Sequence, residues 1–285
     1  MDEGLISGLQ SGELQFAGYN ISGMGQTITT AGNSLAQLDQ KLYQGLQIVE
    51  KTKNQFVKST ILAFYQMIKD LGGSSSLETI DSESVIYSHL EKEQNYFGRF
   101  YFFLYKGFSS YLLGDIPFAY EQVSIAKNYL SALPGSTVLA DYYTYLPLIA
   151  LELVSGKTPS EEITAEIDES LAILEKWNAS IPENFQFRID LIRATQLEQK
   201  GHLLEALDLY DSVISLASKQ EMLPLKAIAF EKAGKMMLNN QKIRIGEIYL
   251  KDAYLAYLEY GASKKLDQLQ QDFPTIFQSG KAEKP

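Results

Sequence analysis

Helical periodicity fills nearly every window of this 285-residue chain. Apolar residues return at three- and four-residue intervals, as one face of a helix requires. Alternating β-branched runs are few, and no Asn-Gly or Asp-Gly turn joins two apolar segments. The pattern predicts helices near 13–31, 34–52, 54–71, 82–92, 94–113, 116–132, 137–155, 159–178, 184–200, 202–219, 222–239, 241–260 and 262–271. The punctuation agrees. Gly114-Asp115, Gly156-Lys157 and Gly201-His202 suit helix ends closed by a left-handed glycine. Pro117, Pro159, Pro182 and Pro224 stand at or just before helix starts, where a missing N–H costs little. Gly72-Gly73-Ser74-Ser75-Ser76 predicts a long, flexible break over 72–81.

Comparison of the helices brings out a repeat. Small residues recur seven apart at Ala119 and Ala126, Ala165 and Ala172, and Gly246 and Ala253, with Ala206 and Val213 a looser pair. Seven residues are about two helical turns, so both members lie on one stripe where a neighbouring helix can approach. The first members stand at positions 119, 165, 206 and 246, a nearly even progression. Gly114 and Gly201 each precede a first member by five positions, and Gly261 closes a later helix. Hairpins that cannot bury an apolar face alone stack on one another. The fold class expected is all-α: an α-α superhelix, a right-handed solenoid of tetratricopeptide-like hairpins. One array is expected over 1–274, then a disordered tail over 275–285. The spacing exceeds the roughly 34 residues of the standard repeat, which calls for longer helices.

Composition narrows the function. The chain has no cysteine, so thiolate metal sites, disulfides and Cys nucleophiles are excluded. His89 and His202 lie far apart and show no metal-ligand spacing. A net charge of -10 disfavours nucleic acid and anionic membrane, both of which select clustered Lys and Arg. No run approaches the roughly 20 apolar residues of a membrane span. The start lacks the pattern of a signal peptide, so the cytoplasm is the expected location. No GxxxxGK[ST], HExxH, GxSxG or kinase signature occurs; neither an enzyme activity nor a cofactor or metal site is expected. Gly23-Met24-Gly25-Gln26-Thr27 reads as a close helix contact.

Several residues remain as candidates for binding. Glu161, Glu162, Glu166, Asp168 and Glu169 read as a solvated acidic face. Lys226, Lys232, Lys235, Lys242 and Arg244 read as a solvated basic group that an acidic partner surface would complement. Tyr142, Tyr143 and Tyr145 fit core packing or a concave recognition surface. The candidate partner-binding set is Tyr142, Tyr145, Arg188 and Lys235. The segment Asn95 to Tyr105 is apolar nearly all round, which predicts a helix buried on several sides. A ligand sensor walled by Tyr101 or Tyr105 is the alternative reading of that helix.

Some stretches carry a more specific likeness. Ala206-Leu207-Asp208-Leu209-Tyr210-Asp211-Ser212-Val213-Ile214-Ser215-Leu216-Ala217 is one, and Ala253-Tyr254-Leu255-Ala256-Tyr257-Leu258-Glu259-Tyr260-Gly261-Ala262 another. Leu266-Asp267-Gln268-Leu269 with Phe273-Pro274, Gly12-Glu13-Leu14-Gln15-Phe16-Ala17-Gly18-Tyr19, and Lys176-Trp177 followed by Ile181-Pro182-Glu183-Asn184-Phe185 extend it. These segments resemble the helical-repeat region of large bacterial, often cyanobacterial, multi-sensor signalling kinases that carry a STAND-type AAA ATPase. The likeness runs from about residue 9 to 274 and is strongest beyond 171. This chain differs at Phe187-Arg188, where the family has His-Lys, at Arg193 and Thr195, where it has glutamate, and at Tyr260, where it has tryptophan. The resemblance implies a non-catalytic interaction module in cytoplasmic signal transduction. Its partners would be another protein or the adjoining ATPase and kinase domains; no oligomeric state is implied.

Overall fold

The computed structural model describes residues 20, 23, 25–77 and 81–278. Among them there is no strand. Helices α1 (Leu35–Thr52), α2 (Gln55–Leu71), α3 (Glu83–Lys92), α4 (Tyr96–Leu112) and α5 (Ile116–Ala126) come first, followed by α6 (Leu139–Leu153). Helices α7 (Glu161–Asn178), α8 (Pro182–Gln199), α9 (Leu203–Lys219), α10 (Leu223–Asn239), α11 (Ile243–Tyr260), α12 (Ser263–Asp272) and α13 (Pro274–Gln278) complete the order. Consecutive helices pack on one another from α1 to α5 and, separately, from α7 to α13. No described helix is long and apolar enough to cross a membrane. The chain divides into two compact units, one up to Tyr142 and one from Tyr143.

The helix expected over 116–132 is split. Its end, Lys127–Ala132, tightens into a 3-10 turn, because Pro134 forces Leu133 out of helical geometry (φ -118°, ψ 40°). Of the helix expected over 13–31, residues 25–30 are helical, and 1–19 lie outside the described residues with the family-like Gly12–Tyr19. The break after α2 begins at Gly72, whose φ of 73° ends the helix. The segment is anchored: Ser76 donates its N–H to Asp39 Oδ1 at 2.8 Å, and its hydroxyl to the other carboxylate oxygen. The tail expected from 275 is helical as far as Gln278, with Ile276 buried.

In the first unit the core forms where α2 meets α4. Phe64 lies 4.9 Å from Tyr101 and 5.6 Å from Tyr105, centroid to centroid, and Phe100 lies 5.8 Å from Tyr142. Tyr101 donates its hydroxyl to Gln26 Oε1 at 2.7 Å, and Tyr105 donates to Asp141 Oδ2 at 3.1 Å. The space beside both rings is therefore occupied by protein. Asn95 is fully buried and caps α4, accepting the Gly98 N–H at 2.8 Å. Its amide donates back into α2, to the Phe56 carbonyl at 2.9 Å and Thr60 Oγ1 at 2.7 Å. One side chain thus closes a helix start and pins it to a neighbour. The small stripe of α5 behaves as expected: Ala119 and Ala126 are buried against α4, where a Cβ on Gly107 would stand 3.0 Å from the Ala119 carbonyl oxygen.

The second unit is built on a cadence. Gly201, Glu221, Gln241 and Gly261 all have positive φ, at 80°, 55°, 60° and 92°. Their positions rise in equal steps, just beyond the ends of α8, α9, α10 and α11. At each, the N–H of the next residue returns to a carbonyl five positions back: His202 to Leu197, Met222 to Ala217, Lys242 to Met237 and Ala262 to Tyr257, at 2.8 to 3.1 Å. This is the Schellman closure, which satisfies carbonyls left open by the ending helix. Gln94 and Gly114 make the same turn in the first unit, at the same separation.

Candidate functional site

The small positions of the second unit do not all face inward. Ala206, Val213 and Ala253 are fully buried. Gly246 is buried as well, where α11 closely approaches α10. Ala165 and Ala172 are exposed, which corrects the register expected for α7. That helix instead buries Glu166, Ile167, Ser170 and Leu174. Alanine is small enough to be neutral on either face, whereas the Ile167 and Leu174 side chains gain from leaving water. The same rotation takes Glu166 out of the solvated acidic face expected for it.

The candidate partner-binding residues are not gathered on a surface. Tyr142 and Tyr145 are buried at 1% and 3% exposure. Arg188 is buried too; it donates to Thr144 Oγ1 at 3.2 Å, with its guanidinium over the Phe187 ring. Of the four, Lys235 alone reaches solvent, and it pairs with Glu231 at 2.7 Å. Of the basic group expected to be solvated, Lys226 and Lys232 are also matched to acids, Glu259 and Glu152, whereas Lys242 and Arg244 are exposed as expected.

Lys232 and the Glu231 partner of Lys235 belong to a polar interior that sequence reading did not find. Glu231, on α10, accepts from Lys265 at 2.8 Å and Lys235 at 2.7 Å on one oxygen, and from the Tyr257 hydroxyl at 2.7 Å on the other. Burial alone would raise its pKa, but the two ammonium groups outweigh burial and hold it at about 2. Burial pushes the Lys265 ammonium down, and Glu231 pulls it back. The available signal was charge inside an apolar run, as in Ala227-Ile228-Ala229-Phe230-Glu231-Lys232-Ala233.

Next to this interior lies a cleft of about 220 Å³. Glu152 and Glu198 supply its carboxylates, Gln199, Asn239 and Asn240 its amides, and Ser155 and Thr195 its hydroxyls; Leu203 and Met236 are its apolar lining. Lys232, bonded to Glu152, lowers that carboxyl's pKa. Tyr210 donates its hydroxyl to Glu198 Oε2 at 2.5 Å, and burial raises the phenol's pKa, so it stays a neutral donor. Gln199 Nε2 donates to the Leu151 carbonyl at 2.7 Å and Asn240 Nδ2 to the Met236 carbonyl at 2.9 Å. Both amides are thereby oriented with their carbonyl oxygens left to accept. The arrangement suits hydrogen-bond donors and cations brought from outside. Comparison with protein-family models and with curated proteins gives no match.

Proposed function

We propose that this chain is a non-catalytic scaffold, a superhelical array of tetratricopeptide-like hairpins that docks a protein segment in cytoplasmic signal transduction. The observation that carries the reading is the cadence of identical turns, evenly spaced from Gly201 to Gly261. Each turn returns the chain onto the helix before it, so successive hairpins share one packing rule. The kinase-associated family implied by the sequence likeness is a repeat region of this kind. The cleft between Glu152, Glu198 and Asn239 is the docking point, and a basic or donor-rich segment is the chemistry it fits. The packed rings around Tyr101 and Tyr105 favour this reading over a small-molecule sensor.

The experiment is quantitative capture from a lysate of the source cell by the immobilised chain, in parallel with Asn239→Arg, which adds bulk and positive charge at the mouth. A protein retained by the wild type and reduced at least about tenfold by the variant supports docking there. Identical capture by both chains defeats it.

A further inference from the structure

Helix α11 buries one face and leaves the other open. Gly246, Leu250, Ala253 and Tyr257 point inward, while Ile245, Ile248, Leu255 and Leu258 are 44%, 54%, 60% and 55% exposed. At 100° per residue these four fall on a single stripe, with Arg244, Lys251, Asp252 and Glu259 along it. Large aliphatic side chains in such a row mark a contact surface, because scattered ones would not align.

The stripe has an internal symmetry. The midpoint of Ile243–Tyr260 falls between Lys251 and Asp252. About that point Ile248 mirrors Leu255, Ile245 mirrors Leu258, and Arg244 mirrors Glu259. We infer that α11 is the seam of a homodimer in which two copies of the helix pair antiparallel about this midpoint. A two-fold interface must be complementary to itself, and this sequence is. Antiparallel pairing sets Ile248 against Leu255 of the second copy at the centre and Arg244 against its Glu259 at each end. Around the axis, Lys251 and Asp252 from both copies make a neutral group. Parallel pairing would oppose arginine to arginine and glutamate to glutamate, so charge selects the antiparallel arrangement. Within one chain Glu259 meets Lys226 at 3.5 Å, an exposed contact that exchanges readily. The seam is about 27 Å long, 18 residues at 1.5 Å each, which makes a weak, concentration-dependent dimer.

Sedimentation equilibrium of the full chain over a wide concentration range tests this. The wild type is expected to self-associate reversibly, and Ile248→Glu with Leu255→Glu to be monomeric with an unchanged circular dichroism spectrum. Arg244→Glu and Glu259→Arg are each expected to weaken association at least about tenfold, and the two together to restore it. A full chain that stays monomeric throughout overturns the proposal. So does a dimer indifferent to both charge reversals, or a monomer that dimerises only when cut after Gln278, which would assign the stripe to the chain's own end.

Discussion

Gly234 and Gly246 meet where α10 passes α11: a Cβ on Gly246 would stand 2.9 Å from the Gly234 carbonyl oxygen. The reverse clash is similar, since a Cβ on Gly234 would lie 2.8 Å from Leu250 Cγ. Backbone approaches backbone here, and a helix carbonyl cannot swing aside as the end of a side chain can. Gly246→Ala is expected to cost about 1–3 kcal/mol, through helix separation rather than helix propensity, which alone would favour alanine. A fall in the urea midpoint checks it; an unchanged or raised midpoint would show that the helices slide apart freely.

Ala206 and Ala165 give a matched contrast. The first is fully buried on α9 and the second exposed on α7. Ala206→Trp should overpack by roughly 1–3 kcal/mol or more, whereas Ala165→Trp should change stability by no more than about 0.5 kcal/mol. Thermal melts of the two variants decide whether the corrected register of α7 holds.

Removing Glu231 strands Lys265, whose side chain is 4% exposed. Glu231→Gln is expected to destabilise by about 3–5 kcal/mol, the usual cost of an uncompensated buried charge. Replacing both, as Glu231→Gln with Lys265→Met, should recover most of that loss. Equal losses in the single and double variants would mean that shape rather than charge holds α10 to α12.

The same carboxylate fixes an acid limit. Its folded pKa is about 2, below the ordinary 4.5, so its contribution is present in full above about 4.5. That contribution is lost as pH falls from about 4.5 towards 2, and amounts to something on the order of 3 kcal/mol. Denaturation midpoints at pH 6, 4 and 3 should fall in wild type and fall less in Glu231→Gln. Parallel slopes would place the acid sensitivity elsewhere.

Left-handed turn residues offer a gain instead. Gln241 holds a φ of 60° and Glu221 one of 55°, positions where a side chain is strained and glycine is not. Gln241→Gly should stabilise by a few tenths to about 1 kcal/mol, read as a higher melting temperature. Gly261→Ala, at a φ of 92°, should lose about as much.

From Ser34 onward most helix limits were legible to within a few positions, because caps and prolines mark them locally. Asn54, Asp115 and Ser160 each stand just before a helix and accept a first-turn N–H. The even cadence was half hidden. Gly201 and Gly261 show it, but Glu221 and Gln241 adopt the same backbone without the residue that advertises it. Periodicity also failed on α7, where alanines at seven-residue spacing face water and the heavier Ile167 and Leu174 set the register. Which charges pair in the polar interior was unreadable for another reason. Glu231 and Lys265 are 34 residues apart, and only folding tells a buried pair from two surface charges. Tyr142, Tyr145 and Arg188 erred in the opposite sense, as polar-tipped side chains that fold inward.

The regular spacing of the left-handed turns makes the second unit modular in a literal way. Gly201 and Gln241 share a backbone state, and each is followed by a residue bonded five positions back. Joining Gly201 directly to Lys242 would excise a pair of helices and leave both cut ends in a geometry they already hold. Duplicating 202–241 would splice equally well. Length can therefore change in whole pairs without any turn being redesigned, whereas a single residue inserted inside α10 would rotate everything after it by about 100°.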